Sequence, residues 1–201
     1  MSSLASSELK LLLHCCCAAC ALVALSELKE QSNGSVTLLF DAPNVTDPLE
    51  AEHRRRNLAD LAAREGYNLQ APEHSSEPYL EIALPLETAA SLQYDPDPER
   101  RARKRCRRCY LLQLGRAAQA AREGGFAAFS TTLLVSPYQW REEIISTGAT
   151  VGQTTGVEFL EFDGRKKAFF GKQRSRALGY HLPNECGCSY SETDGEMPRL
   201  H

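Results

Sequence analysis

The chain has 201 residues, 42% hydrophobic and 24% charged, which is enough for a sizeable buried core and too apolar for an intrinsically disordered segment. A formal net charge of -3 excludes a protein recruited to nucleic acid by bulk charge alone. No apolar run reaches the ~20 residues of a membrane-crossing helix. The apolar stretch 11–25 lacks a basic leader and is broken by His14 and four cysteines, so a cytoplasmic protein with no membrane partner is expected.

In chain order, residues 10–17 read as a short buried strand and residues 18–30 as a helix stopped by Ser32-Asn33-Gly34. Residues 36–40 form a second buried strand, which runs into the turn-forming Asp41-Ala42-Pro43-Asn44. Asp47 at the N-cap and Pro48 at the first helical position open a charged helix that continues to Glu65 and stops at Gly66. Residues 79–84 read as extended and 86–94 as a short helix broken by Asp95-Pro96-Asp97-Pro98. A long helix over 99–123 ends at Gly124-Gly125. A strand over 126–135, a helix over 139–146, a strand over 157–162 and a helix over 166–178 follow, with an irregular tail from Gly179 onward.

Strands alternating with helices imply an α/β fold with a largely parallel sheet and helices on both faces. There is no internal repeat and no second domain, so residues 1–201 read as one domain with its core at about 10–191. Ligand sites in such sheets form beyond the carboxyl ends of the strands, where Cys16-Cys17, Asp41, Ser136 and Asp163 all fall.

The eight cysteines form three groups: Cys15, Cys16, Cys17 and Cys20; Cys106 and Cys109; and Cys186 and Cys188. Cytosolic thiols are kept reduced, so this clustering points to metal binding or redox chemistry rather than a disulfide framework. Cys106 and Cys109 are three apart and share one helical face, fit to hold one metal or cluster edge. With a pair from the first group they make four thiolates, which suits zinc or an iron–sulfur cluster. Two adjacent cysteines reach two corners of a cluster more comfortably than one small ion. Cys186-Gly187-Cys188 reads instead as a labile redox pair on a Gly- and Pro-containing tail, with a third ligand pair or two free thiols as the alternatives.

Arg100, Arg101, Arg103, Lys104, Arg105, Arg107 and Arg108 surround Cys106 and Cys109, a density that suits a phosphate-bearing partner. Arg165, Lys166, Lys167, Lys172, Arg174 and Arg176 form a second basic group, while Arg54-Arg55-Arg56 reads as a solvated helix face. Tyr138 and Trp140 read as packing residues rather than base-stacking ones, and His14 as a core residue rather than a ligand. Asp163 is either a helix cap or an acid and metal ligand.

The order His14-Cys15-Cys16-Cys17-Ala18-Ala19-Cys20, Arg105-Cys106-x-x-Cys109-Tyr110, Thr131 to Gln139, and Cys186-Gly187-Cys188-x-Tyr190-Ser191 resembles QueH-type epoxyqueuosine reductases over nearly the whole chain. The resemblance implies reduction of epoxyqueuosine to queuosine at the wobble position of tRNA, on a Rossmann-like fold of the nucleotide-hydrolase type. It implies a [4Fe-4S] cluster on Cys16, Cys17, Cys106 and Cys109, and a redox-active disulfide at Cys186 and Cys188. It also allows a second, mononuclear iron with Asp163 and Cys20 as ligands, Asp163 then taking a catalytic part. tRNA contacts fall to Arg105, Arg107, Arg108 and Arg165, and an external electron donor is required. Ala19 stands where the family has proline, Gly164 stands inside its DFR segment, and Leu182-Pro183-Asn184-Glu185 replaces its usual stretch before the CGC pair. Two other readings compete: a zinc–thiolate RNA-binding protein without enzymatic activity, and a generic thiol–disulfide oxidoreductase.

Overall fold

The unbroken run Leu11-Leu12-Leu13 lies in the central strand, β1 (Leu11–His14), whose residues are all buried, as a strand covered on both faces requires. It pairs in parallel with β2 (Val36–Leu39) on one side and β4 (Ala128–Thr131) on the other, so Leu11 lies between Val36 and Ala128. β3 (Asn68–Gln70) extends the sheet beyond β2, and β5 (Glu158–Phe159) extends it beyond β4. The order is therefore β3-β2-β1-β4-β5, all parallel. The computed structural model describes residues 9–29, 31–32 and 35–191; Glu30, Asn33 and Gly34, which belong to the expected first helix and its stop, lie outside the described residues.

Six α-helices among the described residues cover this sheet: α1 (Ala18–Leu28), α2 (Pro48–Glu65), α3 (Glu77–Glu87), α4 (Pro98–Glu123), α5 (Arg141–Thr155) and α6 (Ala168–Ala177). α1 packs with α2 and α6 on one face, and α4 packs with α5 against β1 and β4 on the other. The chain builds outward from β1 to β3, then returns to start β4 on the opposite side of β1. Its connections from β1 and β4 thus part to opposite faces and open a crevice at their carboxyl ends. That crevice is where the first cysteine group lies.

The cap signals hold. The Asp47 side chain accepts the Leu49 N–H, Gly66 takes the left-handed conformation that ends α2, and Asp97 accepts the N–H groups of Glu99 and Arg100 at the start of α4. Several elements differ from expectation. Residues 79–84 are helical in α3 rather than extended, because Tyr79, Ala83 and Leu86 bury one face at i, i+4 and i+7. The expected helix over 86–94 gives way to turns after Thr88, and Leu92 there is fully exposed. The strand expected over 126–135 ends at Thr131, whose hydroxyl accepts the Leu133 N–H and turns the chain into a 3-10 turn, Thr132–Val135.

α5 runs to Thr155, past the expected end at Ser146, through residues of poor helix propensity. Packing overrides propensity there: Gly148 and Gly152 let the helix lie directly on Phe159 and the backbone of β5. β3 had no signal, since its three residues are an exposed edge with no apolar alternation.

α6 seats equally closely on α1, where a Cβ on Gly171 would stand 2.4 Å from the Ala19 carbonyl oxygen. Gly171→Ala is expected to cost about 1–3 kcal/mol in urea unfolding, the range for overpacking. Gly115→Ala, where an added Cβ meets nothing within 4 Å inside α4, is expected to stabilise by about 0.5–1 kcal/mol instead. Equal effects at the two sites would contradict this packing.

Candidate metal and redox centre

β1 delivers Cys15, Cys16 and Cys17 to the head of the crevice, and α1 starts immediately after them. Cys15 points into the core, its thiol bonded to the Leu13 carbonyl (3.3 Å), and burial pushes that thiol well up from its usual pKa. The sulfurs of Cys16, Cys17 and Cys20 face one another, all within 4.8 Å. They lie at the N-terminal end of α1, where unpaired N–H groups and the helix dipole favour negative charge. Hydrogen bonds from Cys17 and Cys20 hold the Cys16 thiol well below its usual pKa, with help from Thr132 and the charge of Arg54. The Cys17 thiol is correspondingly pushed up to about 12 by its hydrogen bond to Cys16, and Cys20 is raised well above its usual value. Negative charge in this group is therefore favoured on Cys16, beside two thiols and a hydroxyl.

The 3-10 turn after β4 supplies that hydroxyl. Thr132 Oγ1 accepts the Cys16 N–H (2.9 Å) and donates to Cys16 Sγ (3.2 Å), fixing the sulfur from the neighbouring strand. His14, fully buried, donates from Nε2 to the Asp41 carbonyl and accepts at Nδ1 from the Thr131 hydroxyl, both at 2.9 Å. Burial lowers its pKa, so a neutral ring ties β1, β2 and β4 together at their carboxyl ends. As expected it is a core residue.

α4 carries the second pair. Cys106 packs against the same core as Cys16 and Cys20, and Cys109 lies under α3 beside Tyr79. Gln113 donates to Cys109 Sγ (2.9 Å), although burial still raises that thiol. The tail closes over Cys109, where Cys188 and Tyr190 pack against the same cluster. All eight cysteines are free thiols, and Cys186 and Cys188 are hydrogen-bonded to each other across Gly187. The bond from Cys186, aided by Tyr79 and by the charge of Arg105, lowers the Cys188 thiol to about 6, while Cys186 is pushed well up.

Arg54 holds this tail. It is only 2% exposed, and it donates to Glu50 (2.7 Å), to the Cys186 carbonyl (3.0 Å) and to the Glu185 carbonyl (3.1 Å). Asn44 Nδ2 donates to the same Cys186 carbonyl (2.9 Å), and the Thr46 N–H donates to the Gly187 carbonyl (3.0 Å). Gly187 has φ +91°, and a Cβ there would stand 3.0 Å from the Arg54 guanidinium, so glycine is required on both counts. A cluster of Glu50, His53 and His181 adds a further stitch, with His181 Nε2 2.6 Å from Glu50.

A family model described as "Epoxyqueuosine reductase QueH" matches residues 11–194. The chain belongs to the QueH family. It is 29% identical over 183 residues to the Epoxyqueuosine reductase QueH of Dehalococcoides mccartyi, covering 91% of this chain and 92% of that relative. It is 31% identical over 182 residues to the protein of the same name from Thermotoga maritima, covering 90% and 88%. The match to that of Streptococcus pyogenes is 27% over 190 residues, covering 90% and 69%. QueH membership makes the chain an oxidoreductase of queuosine biosynthesis.

The basic residues expected around Cys106 and Cys109 are largely spoken for. Arg105 is 2% exposed, paired with Glu87 and stacked on Tyr190 (4.8 Å), so its guanidinium serves the tail and not the surface. Arg101 pairs with Glu87, Lys104 with Asp95, and Arg103 and Arg107 with Glu143, while Arg108 donates to the Ile82 carbonyl. Asp163 lies beyond β5 as expected; Arg165 holds its carboxyl at about 2, and Arg141 approaches to 3.9 Å. Trp140 packs under Arg103 (5.2 Å), as a packing residue should.

Arg54, Thr132, Tyr79 and Gln113 are the site residues that spacing did not reveal. Arg54 sat in a triple-arginine run; Arg55 and Arg56 do pair with Glu52 on the helix surface, but Arg54 turns inward. Arg54→Met should cost about 1–3 kcal/mol in urea unfolding by leaving the Cys186 and Glu185 carbonyls without their donor. It should also speed alkylation of Cys186 in metal-free reduced protein; an unchanged rate would show that the tail is held otherwise.

A lowered pKa means that the Cys188 thiolate persists as pH falls and disappears only through about 6. Iodoacetamide labelling of Cys188 in the metal-free reduced protein should therefore fall off below about pH 6, and Tyr79→Phe should move that midpoint upward. A midpoint in the ordinary thiol range for the unsubstituted chain would contradict the assignment.

Proposed function

We propose that the chain reduces epoxyqueuosine to queuosine at the wobble position of tRNA, with Cys16, Cys17, Cys106 and Cys109 holding a [4Fe-4S] cluster and Cys186 and Cys188 as the redox pair. The observation that supports this reading is the tail: Cys186 and Cys188, one residue apart, are fastened by Arg54 beside Cys109.

The donor set fits an iron–sulfur group. Thiolates are its usual ligands, and the crevice offers a helix N-terminus, a Thr132 donor and the buried positive charge of Arg54 to offset their charge. A bound cluster would supply one-electron transfer. Cys20, close to Cys16 and Cys17, is the thiol available to a further single iron, and Asp163 would have to leave Arg165 to join it.

The chain's own residues account for the rest of the balance. Opening the epoxide to the alkene releases its oxygen as water and consumes two electrons and two protons. Oxidation of the Cys186 and Cys188 thiols to a disulfide yields two electrons and two protons, so dithiol plus epoxide gives disulfide plus alkene plus water. Tyr79, bonded to Cys188, and Arg105 beside it stabilise the thiolate that forms the sulfur–sulfur bond. An external donor must then return the pair to thiols before the next turnover.

Anaerobic incubation with tRNA bearing epoxyqueuosine, scored by nucleoside mass, should show the loss of one oxygen atom. Cys106→Ala should lose both bound iron and turnover, and full activity without iron would end the cluster assignment. Cys188→Ser should keep its iron and fail at multiple turnover. If that variant cycles normally, the cysteine pair is not the reductant. A second reading, a zinc-binding protein, draws on the compactness of Cys16, Cys17 and Cys20, which suits a single ion; stoichiometric zinc without iron or sulfide after anaerobic purification would favour it.

A further inference from the structure

α6 inverts the usual rule for a surface helix. Its buried side carries Ala168, Gly171, Ser175 and Leu178, small residues for the most part, while its two phenylalanines point to solvent. Phe169 is 66% exposed and Phe170 61% exposed. Neither ring has an alternative home on the inner side, because Gly171 sits so close to the Ala19 carbonyl that the helix cannot roll. Adjacent exposed aromatic rings on a well-packed helix mark an interaction site.

Their surroundings select the kind of partner. Arg174 follows Phe170 by four residues within α6, so it neighbours that ring on the outer face, and Lys166 is exposed in the 3-10 turn Arg165–Lys167 that leads into the helix. Lys172 adds a third positive charge, whereas Lys167 is tied to Glu27 of α1 (2.6 Å) and steadies the helix. Flat apolar faces among cations complement unpaired bases on a polyanionic strand. An apolar protein partner would leave these charges without a counterpart.

The location matches the chemistry. Gly171 contacts Ala19, the residue before Cys20, so α6, the helix that carries the rings, is seated on the helix that starts at the cysteines. We propose that Phe169 and Phe170, with Lys166 and Arg174, form a stacking platform for unpaired bases of the substrate RNA next to the one being reduced. The inference rests on the tRNA reading above and adds the residues that position the loop. It also relocates RNA binding from the largely paired basic residues of α4 to α6.

The test measures affinity of the iron-loaded protein for a fluorescent anticodon stem–loop RNA, and for a fully paired duplex of the same stem. Phe169→Leu and Phe170→Leu keep apolar bulk without a flat ring. Each should weaken stem–loop binding about tenfold, as loss of one stacked base does, with duplex binding, iron content and circular dichroism unchanged. Phe170→Trp should retain affinity. Arg174→Ala should lower the salt dependence of binding by about 0.7–0.9 in log–log slope, whereas the Phe→Leu variants should leave that slope alone. Equal stem–loop affinity in wild type and both leucine variants, while wild type still reduces its tRNA, would overturn the platform and spare the reductase reading. A wild-type protein that neither binds nor reduces the RNA would sink both. A wild-type dimer dispersed by Phe170→Leu with RNA affinity unchanged would assign the rings to a second copy of the chain and likewise overturn the platform.

Discussion

A buried guanidinium has to find acceptors or it unfolds its surroundings. Arg54 finds Glu50 on its own helix and then the carbonyls of Glu185 and Cys186, 131 and 132 residues away. That requirement fastens the redox tail to the body of the protein. It also puts a positive charge near Cys16 and Cys17. One side chain therefore lies between two cysteine groups, with Cys16 and Cys17 on one side and Cys186 and Cys188 on the other.

The remaining parts of the centre are arranged by the sheet. β1 and β4 are neighbours whose connections leave on opposite faces, so the residues after each strand meet across a gap. Cys16 follows one strand and Thr132 the other, and the hydrogen bonds between them close that gap. His14 and Thr131 brace the same strand ends from one residue deeper. α4 and α3 then bring Cys109 and Tyr79 to the far wall, where the tail rests against them. The acids that neutralise α4, Glu87, Asp95 and Glu143, come from three separate stretches of chain. A run of basic residues thereby serves as much to fasten the wall of the site as to face solvent.

The parts legible in the sequence were those set by local rules. Asp47-Pro48 with Gly66, and Asp97-Pro98 with Gly124, announced the two longest helices, because a cap is decided by residues within one turn. The apolar run of β1 announced a buried strand. Residues 79–84 misled because an apolar stretch between prolines suits an edge strand as well as a helix, and only its packing on α4 favours the helix. Phe169 and Phe170 gave no warning either. In sequence they look like core residues, and their exposure follows from Gly171 having claimed the contact with α1.

The sequence by itself determined the α/β class, most helix ends and the family, since propensity, capping and motif identity belong to single residues and short spacings. Only the tertiary structure decided which of three adjacent arginines turns inward, which of four early cysteines faces the core, and which charges of the basic helix are already neutralised. Those outcomes depend on acceptors and acids contributed by chain segments far away in sequence, and the energy of burying a charge or a thiol is fixed by whatever those segments place beside it.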